Sequence, residues 1–143
     1  MAGSLTEVQI GAIARIVDAA YPEVEGIYVY GSAADGTLGM HSDVDLAALL
    51  PPEKAKAAGS LALSEARFQL EEALGRPVDL VNARIVPIVL QKEIVARGIR
   101  VFAGDRSRIE AYEMLVLSLY GKLNEERREI LDEFYATRRA YPV

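Results

Sequence analysis

The chain has no cysteine, which excludes disulfides and thiolate-held metals and fits a reducing cytoplasm. It has no apolar run near the ~18 residues that a membrane span needs. Its opening shows no basic-then-apolar leader, so no membrane or export step is expected. Basic residues are outnumbered, 16 against 21 acidic, for a formal net charge of −5. Direct nucleic-acid binding through a broad basic surface is therefore not expected. A nucleotide carrying its own magnesium is not excluded, because the metal offsets much of the repulsion. Internal repeats and low-complexity linkers are also missing.

What is present is ordinary for a globular chain: 143 residues, 51% hydrophobic and 26% charged. That length predicts one domain over residues 1–143, able to bury its own core. Ser4-Leu5-Thr6-Glu7 has the spacing of a capping box, and apolar residues from Val8 to Val17 follow helical spacing until Tyr21-Pro22. Val24–Tyr30 and Asp43–Leu50 read as strands, the second stopped by Pro51-Pro52. Ala55–Leu74 is rich in alanine, leucine and glutamate and predicts one helix ending at Gly75. Pro77–Val81 reads as a strand, Pro87–Arg97 as a helix, and Ile99–Phe102 as a short strand. Residues 105–136 predict a long helix with the stripe Ile109, Tyr112, Val116, Leu119, Leu123, Ile130 and Phe134. Such a helix spans about 45 Å, more than the ~30 Å of a small domain. It either wraps its own domain or extends to a partner. The mix is an α/β (α+β) fold: a small mixed sheet with helices and a long C-terminal helix.

The chemistry concentrates in residues 29–46. An apolar run ends at Gly31-Ser32, a glycine-rich loop follows, and a second apolar run opens with Asp43-Val44-Asp45. In a strand, residues i and i+2 share a face, so Asp43 and Asp45 project together. Magnesium takes hard oxygen ligands, usually carboxylates with phosphate oxygens and water. Two-metal phosphoryl transfer uses ions ~3.5–4 Å apart, commonly with a third carboxylate. Asp79, the lone acid of Val78-Asp79-Leu80-Val81, is the candidate. Gly31 lets backbone approach phosphate, and Ser32 adds a hydroxyl donor.

Plainer readings stand beside these. Asp43 suits a turn, and Asp79 could pair with Arg76 or Arg84. Asp45 is harder to explain away, since aspartate is depleted in strand interiors. His41, the only histidine, lies in the loop and either touches substrate or is simply solvated. Tyr28 and Tyr30 read as packing groups. The pairs Arg127-Arg128 and Arg138-Arg139 read as solvated helix residues.

Gly31-Ser32 followed by Asp43-Val44-Asp45 resembles the signature of the polymerase-β-like nucleotidyltransferase superfamily. The length and the wording Ser42-Asp43-Val44-Asp45-Leu46 resemble its minimal nucleotidyltransferases. Pro77–Val81 resembles the third-carboxylate strand. Gly98–Phe102 and the helix through Glu125–Asp132 resemble the C-terminal part of MntA-type antitoxins of HEPN/MNT toxin–antitoxin systems. The resemblance implies a polymerase-β-like fold and a single nucleotidyltransferase domain. It implies magnesium as cofactor and ATP as substrate. It implies transfer of AMP onto a tyrosine of a cognate HEPN ribonuclease toxin, which silences that toxin in a hetero-oligomer. By the same resemblance Gly31 and Ser32 hold the triphosphate, Asp43 and Asp45 bind nucleotide and metal, and Asp79 completes the metal site or activates the tyrosine. One departure is visible: the loop reads Gly31-Ser32-Ala33-Ala34-Asp35-Gly36, where family members often carry basic or polar residues. Asp35 weakens ATP binding if it faces the phosphates and changes little if it faces solvent. Two alternatives remain open, an antitoxin acting mainly by binding and a nucleotidyltransferase acting on a small molecule.

Overall fold

The computed structural model describes residues 5–39 and 42–140. His41 lies outside the described residues. The elements run α1 (Glu7–Ala20), β1 (Gly26–Tyr30), α2 (Ser32–Asp35), β2 (Val44–Leu49), α3 (Pro52–Ala58), α4 (Glu65–Leu74), β3 (Val78–Asn82), α5 (Ile88–Arg97), β4 (Ile99–Ala103) and α6 (Arg106–Ala140).

Four strands form one sheet in the order β3-β2-β1-β4. β1 pairs antiparallel with β2 and with β4, while β2 and β3 run parallel. Parallel neighbours need a crossover, and α3 and α4 supply it. Alternation along the strands gives the sheet two apolar faces. Ile27, Val29, Val44, Leu46 and Leu80 face α1 and α4, where Ile13, Val17 and Leu70 are fully buried. Tyr28, Ala47 and Leu49 face the other way, against Ile94 of α5 and Ile109, Tyr112 and Val116 of α6.

Three local expectations are corrected. The capping box at the start of α1 is built by Thr6 and Gln9, whereas Ser4 of the expected box lies outside the described residues. The Thr6 hydroxyl accepts from the Gln9 N–H (3.2 Å) and the Gln9 side chain accepts from the Thr6 N–H (2.9 Å). The helix expected over 55–74 is two helices separated by residues 59–64. Gly59 takes φ +63° at the end of α3, a conformation open to glycine. The buried Asn82 amide donates to the Ala55 and Gly59 carbonyls, 2.9 Å each, tying that end of α3 to β3. The glycine-rich loop also contains α2, a single helical turn after Gly31.

The buried Glu25 carboxylate anchors the root of α6. It accepts from Arg84 at 2.7 Å and from Arg108 of α6 at 3.4 Å, and its carbonyl accepts from Gly104 and Asp105. A buried acid needs such partners, since an unpaired charge there is strongly disfavoured. The long helix itself is observed, over 35 residues. Among the residues whose burial is described, Val116 is its last buried one. Leu119, Ile130, Leu131, Phe134 and Tyr135 are exposed, so the helix extends away from the domain and does not wrap it.

Candidate active site

The sheet's pairing brings the acids together. Tyr30 is the register partner of Asp45, and Asp45 is the register partner of Asp79. Register partners share a face, so β1, β2 and β3 present Tyr30, Asp45 and Asp79 in one row. It is the same sheet face that α5 and α6 cover further along. Asp43 is exposed two residues before Asp45, at the entry to β2.

Electrostatics report the crowding. Partial burial, then the Asp79 charge, then the Asp43 charge raise the Asp45 pKa above the ordinary carboxylate value. Burial, then Asp79 and Asp45, push the Tyr30 phenol upward. A carboxylate whose charge is disfavoured by two neighbouring carboxylates belongs to a donor set that a hard divalent cation suits. Among the described residues, no group of three or more His, Cys, Asp or Glu side chains is drawn in to coordinating distance of one point. Like charges at these positions repel, so the carboxylates share a face without converging.

Gly31 joins the row to α2. It has φ +66° and ψ −147°, a combination essentially restricted to glycine. A Cβ added there would collide with Oδ2 of Asp45. The main chain can pass this close to the carboxylate only because the position is glycine. Ser32, half-buried, opens α2 immediately after it. Asp35 lies exposed at the end of α2.

Arg76 and Arg84 do not pair with Asp79. Arg84 serves Glu25 and the Leu50 carbonyl. The Arg76 guanidinium donates to the Gly39 and Ser42 carbonyls, while the Val44 N–H donates to the Pro77 carbonyl at 2.9 Å. The entry to β3 thus grips the loop that delivers Asp43. Tyr28 hydrogen-bonds Glu113 of α6 at 2.7 Å, a packing and anchoring role. Tyr30 is different. It also reads as packing in the sequence, yet the structure sets it beside two acids. Its position one residue before Gly31 was the available signal, but its pairing with Asp45 is non-local.

Comparison with known proteins bears directly on this arrangement. The model of the polymerase beta nucleotidyltransferase family matches residues 13–107, from α1 to the first turn of α6. The chain belongs to that family. Among nucleotidyltransferases it is similar to the protein adenylyltransferase MntA of Shewanella oneidensis, 32% identical over 115 residues, 80% of this chain and 79% of that protein. Its fold is similar to a solved MntA–HepT toxin–antitoxin structure (TM-score 0.68, 26% identity, 91% of this chain and 99% of that one). A toxin–antitoxin structure with AMP-PNP is similar too (TM-score 0.68, 28% identity, 88% and 98%). So is the MNT antitoxin in complex with the tri-AMPylated HEPN toxin of Shewanella oneidensis (TM-score 0.65, 26% identity, 92% and 99%). No helix among the described residues is long and apolar enough to cross a membrane.

Proposed function

We propose that this chain is an antitoxin that transfers AMP from ATP to a tyrosine of a cognate HEPN-family ribonuclease toxin and so neutralises it. The observation that carries the reading is the pairing of Asp45 with Asp79 at the end of the sheet reached by Gly31 and Ser32. The likeness to an adenylyltransferase, and to antitoxins solved with a nucleotide analogue and with an AMPylated toxin, supplies the nucleotide and the acceptor. The reaction belongs to the cytoplasm, where a cysteine-free chain loses nothing to reducing conditions.

Asp43, Asp45 and Asp79 are the residues that would hold magnesium, which when bound neutralises phosphate charge and polarises the reacting phosphoryl group. Gly31 brings the main chain against the triphosphate, and the Ser32 hydroxyl donates to a β- or γ-phosphate oxygen. The tyrosine oxygen attacks the α-phosphorus in line. The bond from that phosphorus to the bridging oxygen of the β-phosphate breaks, and pyrophosphate leaves. Asp79, at the open side of the row, takes the phenolic proton. The protein contributes mainly positioning and charge neutralisation. Asp35 is exposed on α2, so its charge is screened by water and takes little from ATP affinity.

The test is incubation with the toxin, ATP labelled at the α-phosphate, and magnesium. Wild type labels the toxin, and Asp43→Asn with Asp45→Asn lowers the rate by about 1000-fold. Chelation of divalent cations stops labelling. An unlabelled toxin with wild type, or undiminished labelling by the double variant, rejects the proposal.

A further inference from the structure

We infer that the Tyr30 hydroxyl is a catalytic hydrogen-bond donor to a nonbridging oxygen of the α-phosphate of ATP. The inference rests on the function proposed above, because it assigns a donor to the phosphoryl group that moves in that reaction.

Tyr28, Tyr30 and Tyr112 are buried together in the apolar cluster on the side of the sheet that carries the acids. Two of them spend their hydroxyls inside the protein. Tyr28 donates to Glu113 at 2.7 Å, and Tyr112 donates to Gln91 at 2.9 Å. A buried tyrosine normally ties up its O–H in this way. Tyr30 does not. Among the described residues its hydroxyl has no hydrogen-bond partner, yet that oxygen is not one of the unpartnered atoms sealed from solvent. The whole residue is only 7% exposed, so its small open part includes the hydroxyl. Packing alone does not account for the O–H, because phenylalanine would fill the same space in the cluster with Ala47 and Ile94.

Its place decides what the donor serves. Tyr30, Asp45 and Asp79 are register partners along β1, β2 and β3, so neighbouring backbones in the row lie about 5 Å apart. The charges of both Asp79 and Asp45 act on the Tyr30 hydroxyl. A tyrosine is longer than an aspartate, so it reaches past the carboxylates to what they hold. By the reaction proposed above, that is the α-phosphoryl group of ATP. Gly31, which brings the main chain against the triphosphate, is the next residue. The nonbridging oxygens of a phosphoryl group under attack share its charge in the transition state. A donor that packing has already fixed stabilises that charge without reorganising. The proton stays on Tyr30 throughout, and pyrophosphate leaves as described above.

The experiment compares the full chain with its Tyr30→Phe variant, which keeps the ring and removes only the donor. The melting temperature stays within a few degrees of wild type. AMP transfer to the toxin falls about 30-fold, the scale of one hydrogen bond to a charged group. The two diastereomers of ATP with sulfur in place of one nonbridging α-oxygen give the decisive readout. Sulfur accepts hydrogen bonds poorly, so wild type loses rate with the diastereomer whose sulfur meets Tyr30. In the variant, the ratio of the ATP rate to the rate with that diastereomer shrinks about fivefold. Calorimetry with magnesium and the α,β-methylene analogue of ATP, which keeps the nonbridging oxygens, finds affinity lowered by about fivefold. Transfer by the variant within about twofold of wild type overturns the inference. So does a slower variant whose sulfur ratios match wild type for both diastereomers, because the hydroxyl then acts elsewhere. The two proposals fail separately. If wild type never labels the toxin but the variant binds the analogue more weakly, the acceptor is wrong and the contact stands. If wild type labels the toxin and the variant matches it, the contact is wrong and the enzyme stands.

Discussion

The sheet and the outer half of α6 use the same apolar residue types to opposite ends. In β1 and β2 nearly every position is buried, and the one partly open residue of β2 is Asp45. Beyond Val116, α6 leaves Leu117, Leu119, Ile130, Leu131, Phe134 and Tyr135 exposed to water. In the sheet an apolar majority places a few acids; in the helix charges of both signs, five acids and five bases over residues 117–140, frame an apolar line. A period of two or of 3.6 reveals which residues share a face, but not what covers that face.

The largest effect expected from breaking this contrast is on the sheet side. Gly31→Ala forces a Cβ into the Asp45 carboxylate at a backbone conformation that alanine resists. AMP transfer to the toxin falls about 100-fold in the labelling assay, while the melting temperature changes by only a few degrees. Next comes the root of the helix. Glu25→Ala leaves Arg84 without its carboxylate partner and lowers unfolding stability by about 3 kcal/mol in urea melts. Truncation after Gly121 leaves the melting temperature of the domain within a few degrees, because it removes only residues that bury little. A large loss of stability on truncation would mean that the outer helix is part of the core.

The smallest effect is the most diagnostic. Asp45 has its pKa raised in the fold by burial and by Asp79 and Asp43. In a magnesium-free buffer its ionised form opposes folding. Between the ordinary carboxylate value and the raised one, the folded state binds more protons than the unfolded state, so stability declines as pH rises through that window. Asp79→Asn removes one source of repulsion and lowers the Asp45 pKa. Near neutral pH it raises the melting temperature, and the difference from wild type disappears at acid pH, where Asp45 is protonated in both. Melts at a series of pH values check this, and an unchanged profile would mean that the two carboxylates do not interact.

Much of this was legible in the sequence because it is local. The spacing of Ile13 and Val17 marks the buried side of α1, and alternation around Asp45 and Asp79 marks the strands and their shared face. The break between α3 and α4 was not legible. Alanine and leucine favour helix throughout 55–74, whereas the break depends on Asn82, some twenty residues downstream, holding the Ala55 and Gly59 carbonyls. Tyr30 escaped for a similar reason, since its chemical neighbours come from strand pairing. The start of α1 was legible only to within a residue or two, because Thr6 and Gln9 offer the same kind of spacing as Ser4 and Glu7.

Asp79 has a second consequence through its address. It lies on β3, an outermost strand of the sheet, where unpaired backbone groups invite strand addition from another molecule. A charge on such a strand discourages that pairing. The acid proposed for phosphoryl chemistry thus stands on an open strand edge, where its charge also opposes edge-to-edge pairing.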